Sequence, residues 1–132
     1  MILVDTSVWI AVFRDKTGEV SRAFKKRAQN QTYVLSRFNQ LELLQGAKDQ
    51  HEWDLLENYL STQIYLETTE ATWSGAARIY FDLRRKGLTV CSPIDCCIAQ
   101  LALEHGALLL HKDNDFEIIA GVRPLIHEAL RK

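Results

Sequence analysis

Residues 2–13 read Ile2-Leu3-Val4-Asp5-Thr6-Ser7-Val8-Trp9-Ile10-Ala11-Val12-Phe13. The three aliphatic residues have the length and branching of a short buried strand, and a carboxylate ends the run. Thr6 or Ser7 then caps a helix running to about Arg14. A strand, an acid and a helix in that order belong to open α/β sheets, whose ligands sit at the carboxyl ends of the strands. Asp5 therefore stands where such a sheet keeps its chemistry.

The same alternation continues along the chain. Gly18 breaks it before a helix over 19–29, and Thr32-Tyr33-Val34-Leu35 is a β-branched and aromatic strand. Ser36 opens a helix to about Lys48, and residues 50–61 place Trp53, Leu56 and Leu60 at helical spacing. A strand at 64–66 precedes a long helix from Thr69 to Gly87, with Trp73, Ala76, Ala77, Tyr80 and Leu83 on one face. Ser92-Pro93-Ile94-Asp95 supplies a hydroxyl cap, a first-turn proline and an acid at the third position, so a helix starts there and runs to Gly106. Residues 107–110 form a buried strand, followed by the acidic turn Asp113-Asn114-Asp115 and a short helix to Gly121. The tail reads either as a last strand near 122–126 or as partly helical. Strands separated by helices imply right-handed parallel crossovers and a three-layer α/β/α sandwich around a parallel sheet. No repeat, low-complexity tract or linker interrupts residues 1–132, which read as a single domain.

Composition excludes several classes. With 132 residues, 47% apolar and 25% charged, the chain is an ordinary globular sequence, long enough to bury roughly two-thirds of its unfolded surface. A net charge of −1 provides no global attraction for nucleic acid, so any such binding rests on local patches. Lys25-Lys26-Arg27 and Arg84-Arg85-Lys86 are the candidates, read here as a solvated helix face and a cationic helix end favoured by the macrodipole. Cys91, Cys96 and Cys97 are an odd, crowded set that suits a reducing compartment, and His51, His105, His111 and His127 show no zinc-ligand spacing with them. All three cysteines read as small buried residues. The N-terminus lacks the basic region of a signal peptide, and no apolar run reaches the roughly 18 residues of a membrane span, so a soluble, cytoplasmic protein is expected.

Five acids converge on the strand ends: Asp5, Glu42, Asp95, Asp113 and Asp115. Singly, each has a plain structural role. Asp5 and Asp95 are helix-capping acids, Glu42 packs its stem at the rim of an apolar stripe near Phe38, and Asp113 and Asp115 make a solvated turn. Together they are harder to explain away. Carboxylates about 5 Å apart repel by roughly 3 kcal/mol per pair at an effective dielectric near 20, and several such pairs rival a domain stability of about 5–15 kcal/mol. Such a cluster binds a cation or holds protons. All-oxygen ligands favour Mg²⁺ or Mn²⁺, which polarise phosphoryl oxygens and activate water.

Asp5-Thr6-Ser7 after a strand, Glu42-Leu43 with Gly46, Asp95 with Ile98-Ala99 and Leu101-Ala102, and Asp113-x-Asp115-Phe116 together resemble the PIN-domain ribonucleases. Within them the chain is similar to the VapC toxins of toxin–antitoxin pairs, over essentially its whole length. The resemblance implies a PIN-like fold and a Mg²⁺- or Mn²⁺-dependent endoribonuclease acting on structured RNA, commonly tRNA or ribosomal RNA. It also implies a cognate VapB-like antitoxin and a homodimer, with no membrane partner. Catalytic roles transfer to Asp5, Glu42, Asp95 and Asp113, and metal-ligand roles to Asp5, Asp95, Asp113 and Asp115. Thr6 or Ser7 is an auxiliary hydroxyl. His111-Lys112 stands where relatives often carry a threonine, which leaves Lys112 to meet an RNA phosphate. Two rivals share some of these features: a phospho-accepting receiver domain, with Lys112 as its late lysine, and a catalytically inactive PIN-like scaffold. No second acid adjoins Asp5 as a receiver requires, and the intact acid set argues against decay.

Overall fold

The computed structural model describes residues 1–88 and 92–131; Cys91 lies outside them. In chain order the elements are β1 (Ile2–Val4), α1 (Thr6–Arg14), α2 (Glu19–Ala28), β2 (Tyr33–Ser36), α3 (Arg37–Gln45), α4 (Gln50–Leu60), β3 (Tyr65–Leu66), α5 (Glu70–Arg85), α6 (Pro93–His105), β4 (Leu108–His111), α7 (Asp115–Ala120) and β5 (His127–Ala129). All strand pairs are parallel and the sheet order is β3-β2-β1-β4-β5. The chain lays strands outward from β1 to β3, then returns to place β4 on the other side of β1. That reversal opens a crevice between the carboxyl ends of β1 and β4, where doubly wound sheets bind ligands. It also removes the receiver reading, because that fold has the order 2-1-3-4-5 and pairs β1 with β3.

Side chains alternate across each strand, which builds the three layers. Leu3, Val34 and Leu109 face Ala76, Ile79, Leu83, Ile98, Leu101 and Phe116 of α5, α6 and α7. Ile2, Val4, Leu35 and Leu110 face Val8, Trp9, Phe24, Leu43 and Leu60 of α1 to α4. β1 is wholly buried, as expected for a central parallel strand covered on both faces.

Two expectations needed correction. The last strand lies at His127–Ala129, beyond the 122–126 reading, because Pro124 cannot donate to a ladder and the chain must pass it before pairing with β4. The Ser36-capped helix stops at Gln45 instead of Lys48, since Asp49 accepts from the Glu52 N–H at 2.8 Å and starts α4. Cys96 and Cys97 are free and buried, as read. Gly106, at φ 61°, closes α6 in the left-handed region and turns the chain into β4, a conformation that costs a side-chain-bearing residue dearly. No helix among the described residues is long and apolar enough to cross a membrane.

Candidate active site

Asp5 ends β1 and is itself the N-cap of α1, accepting from Ser7 N–H at 2.9 Å and Ser7 Oγ at 2.6 Å through Oδ2. Capping thus falls to Asp5, whereas the sequence had offered Thr6 or Ser7 for it. The same carboxylate does two things, because its Oδ1 is buried with no hydrogen-bond partner among the described residues. An orphaned buried carboxylate oxygen costs about 1–3 kcal/mol or more, so such a group calls for a ligand.

The freed hydroxyls serve elsewhere. Thr6 Oγ1 donates to Glu42 Oε1 at 2.8 Å and accepts from Asn39 Nδ2 at 3.0 Å. Asn39 is fully buried and its Oδ1 accepts from Ser36 N–H at 2.9 Å and Ser36 Oγ at 2.7 Å. A capping box at the start of α3 is therefore wired through Thr6 to the Glu42 carboxylate. Sequence reasoning missed Asn39; the signal was the hydroxyl-x-x-amide spacing of Ser36 and Asn39. Ser7 Oγ also accepts from the Lys112 N–H at 2.9 Å, tying α1 to the loop after β4.

That loop carries the next acids. The Asp113 N–H donates to His111 Nδ1 at 3.2 Å, which leaves the His111 proton on Nε2, facing His127 Nδ1 at 3.0 Å. Burial, with the His127 ring beside it, holds His111 below its ordinary range and so favours the neutral ring. Asp115 N–H donates to Asp113 Oδ1 at 3.0 Å. The Lys112 ammonium donates to the Leu130 carbonyl at 3.1 Å.

Asp95 occupies the third position of α6, and its N–H donates to Ser92 Oγ at 3.2 Å. Asp95, Asp113 and Asp115 each offer an oxygen within 4.8 Å of the others. Burial pushes Asp95 up to about 7; the Asp5 and Asp113 charges add to this, the Ser92 N–H opposes it, and Glu42 adds a little more. Burial also raises Asp5, against the Ser7 and Thr6 hydrogen bonds and with the Asp113 charge. Burial raises Glu42, against the Thr6 bond and with the Asp5 and Asp113 charges. Burial and the Asp113 charge raise Asp115. Every sequence-predicted acid thus meets at one crevice, and four are held above their ordinary range there.

The donor set fits a hard divalent ion: all oxygen, converging, with one buried oxygen lacking a partner. Asp95, Asp113 and Asp115 could hold such an ion, with the Asp5 and Glu42 charges close by.

Residues 2–122 match the family model of the PIN domain. The chain is 36% identical over 129 residues to the VapC ribonuclease Mb1587 of Mycobacterium bovis, covering 95% of this chain and 96% of that protein. Ribonuclease VapC51 of Mycobacterium tuberculosis is 31% identical over 120 residues, covering 91% of this chain and 85% of that protein. The fold also matches the crystal structure of VapBC2 from Rickettsia felis bound to a DNA fragment from their promoter, with a TM-score of 0.81 at 21% identity, covering 99% of this chain and 100% of that one. The DNA-bound VapBC structure from Salmonella typhimurium gives 0.78 at 24% identity, with 98% of each chain covered. By its match to the family model, its identity to VapC ribonucleases and its strand order, the chain belongs to the PIN domain family, among the VapC ribonucleases.

Proposed function

We propose that this chain is the ribonuclease toxin of a toxin–antitoxin pair and hydrolyses structured RNA, tRNA or ribosomal RNA, with Mg²⁺ or Mn²⁺. The observation that carries the reading is the buried, unpartnered Asp5 Oδ1 at the β1/β4 crevice, close enough to Asp95 and Asp113 for their charges to act on one another. When bound, the ion polarises a phosphoryl oxygen and makes water a better nucleophile. The residues divide the remaining work. Ser7 fixes Asp5 Oδ2 and so aims Oδ1 into the crevice. The Thr6 hydroxyl holds Glu42, whose raised pKa suits it to take a proton from the attacking water. The His111 ring anchors the Asp113 backbone and thereby its carboxylate.

This mechanism needs no ribose 2′-hydroxyl as nucleophile. Cleavage products should carry 5′-phosphate and 3′-hydroxyl ends, and excess chelator should stop the reaction. Products with 2′,3′-cyclic phosphates, or cleavage unaffected by chelator, would contradict it.

The antitoxin has a surface to fit. Trp9 is buried at 2% exposure, but Phe13, four residues on, is 48% exposed. Phe13 lines a groove of about 590 Å³ with Ile10, Leu43, Leu55 and Tyr59, and Glu42 forms part of the same lining. We assign this groove between α1, α3 and α4 to an amphipathic segment of a VapB-like antitoxin. The relatives solved as VapBC complexes support that assignment by analogy. Phe13→Asp should abolish co-purification with the antitoxin encoded beside the gene; an unchanged complex would remove the assignment. A homodimer is part of the same proposal, with the exposed Trp73 ring, edge-on to Phe38, as available apolar area. Sedimentation of the purified chain tests it.

A further inference from the structure

The acid crevice creates a difficulty for its own substrate. Five carboxylates repel an RNA backbone, and a chain of net charge −1 supplies no compensating field, so affinity for RNA must come from a local patch. One such patch exists at the C-terminal end of α5. Arg78, Asp82, Arg85, Lys86 and Arg123 line a pocket of about 340 Å³, in which Asp82 is the one acid among the described residues.

The pocket is organised rather than merely basic. Asp82 Oδ1 accepts from Arg78 Nε at 3.0 Å, and Asp82 Oδ2 accepts from Arg123 Nη2 at 3.0 Å. One carboxylate therefore sets two guanidinium forks, which keep further N–H donors for bidentate contact with phosphate. Beside the pocket lies an exposed ring: Phe81 has the Arg78 guanidinium 5.0 Å and the Arg85 guanidinium 5.6 Å from its centroid. Cations beside an exposed aromatic ring match single-stranded or looped RNA, whose phosphates pair with arginine and whose bases stack on rings. An acidic peptide would use the cations but has no use for the ring.

Position links the pocket to the crevice. Thr72 Oγ1 donates to Glu104 Oε1 at 2.7 Å, and a Cβ on Gly75 would lie 2.5 Å from Gln100 Cδ, so α5 and α6 pack antiparallel. That register brings Asp82 level with the first turn of α6, which carries Asp95. The pocket thus sits on the helix packed beside the one that carries Asp95.

We propose that Arg78, Phe81, Arg85, Lys86 and Arg123, ordered by Asp82, form a backbone-and-base grip for the RNA whose phosphodiester lies in the crevice. The inference rests on the ribonuclease reading. Its test uses the full chain carrying Asp5→Asn, in chelator, so that binding is read without cleavage. Anisotropy titrations with bulk tRNA and with a short unstructured oligoribonucleotide are run across a salt series. Arg85→Gln/Lys86→Gln should weaken binding about tenfold at low salt, and the slope of log affinity against log salt should shrink by about 0.7–0.9 per lost cation. Arg85→Lys/Lys86→Arg should restore most of the binding. In the otherwise native protein the Gln pair should raise KM with kcat nearly unchanged, as loss of uniform binding requires. Single Arg85→Gln, checked by melting, covers the case in which the double variant fails to fold.

Unchanged affinity and slope in a parent that binds and cuts RNA would overturn this grip and leave the ribonuclease reading standing. A parent that neither binds nor cuts RNA would overturn the reading beneath it. Loss of poly-glutamate binding with RNA binding intact would assign the pocket to an acidic protein partner, and an equal or larger effect on duplex DNA would remove RNA as its ligand.

Discussion

Asp82 and Asp95 are half-sheltered aspartates on neighbouring helices, α5 and α6, and their surroundings drive them in opposite directions. Asp82 sits between Arg123 and Arg78, whose hydrogen bonds hold its carboxyl below the ordinary range. Asp95 sits among Asp5, Asp113 and Glu42, and burial with those charges pushes it up to about 7. The first cluster meets its charge internally and leaves a cationic excess; the second stores like-charge repulsion that a bound cation relieves. On the proposed reading, one region holds the RNA strand and the other takes the metal. The same Asp→Asn substitution therefore has opposite meanings in the two places.

The largest effect should follow substitutions in the crevice. Asp5→Asn and Asp95→Asn should each lower RNA cleavage by roughly 100-fold or more, the scale of losing an essential acid–base or ligand group. Metal-free thermal stability should hold or rise, because one repelling charge has gone and Asn remains able to cap α1 at position 5. The stabilisation added by Mn²⁺ should shrink, as linkage requires. An Asp95→Asn protein that melts lower without metal yet cuts RNA normally would show a purely capping acid.

Thr6→Val should cost about 1–3 kcal/mol of stability, because it strands the buried Asn39 amide and frees Glu42. Cleavage should fall less than in the Asp variants, since Glu42 remains present but less well aimed. Urea melts and single-turnover rates check both parts. Asp82→Asn should lower the melting temperature slightly, the reverse of the crevice result, because it removes the acid that holds Arg78 and Arg123. A rise there would break the contrast between the two regions.

Acid should separate them as well. Asp95 keeps its proton to a higher pH when folded than when unfolded, so its contribution to metal-free stability is complete below the unfolded value of 3.8 and is lost as pH rises through about 7. Asp82 runs the other way: its contribution is present above 3.8 and is lost as pH falls through its depressed folded value. Calorimetry of the metal-free protein should find stability falling over the upper part of the window from pH 4 to 7, with Asp95→Asn flattening that decline.

Much of the fold was legible because its signals are local. Ile2-Leu3-Val4 before Asp5, and Ser92-Pro93 before Asp95, mark a strand end and a helix start through residue types alone. The ordered acids marked the crevice because parallel sheets deliver successive strand ends to one edge. What stayed hidden depends on contacts between distant positions. Asn39 acts through Thr6, 33 residues away, and Arg123 joins the basic pocket by reaching Asp82, 41 residues away. The run Arg84-Arg85-Lys86 reads as a favourable helix end, which it is; Arg78 and Phe81 join it by helical spacing along α5, but Arg123 joins only once the turn after α7 packs against α5. Asp5 reads singly as a capping acid and jointly as a member of the acid cluster; in the structure its two oxygens divide these roles, a distinction no residue type carries.

The central claim is that the crevice acids exist to hold a divalent cation. Its most direct test is a set of melts of the native and Asp95→Asn proteins, with and without Mn²⁺, at several pH values on either side of 7. Metal binding requires Asp95 to lose its proton, so the Mn²⁺-induced rise in Tm should grow as pH increases through about 7 in the native protein. It should be much smaller at every pH in Asp95→Asn. A Mn²⁺ shift that is absent, or that is equal in the two proteins at all pH values, would contradict the account.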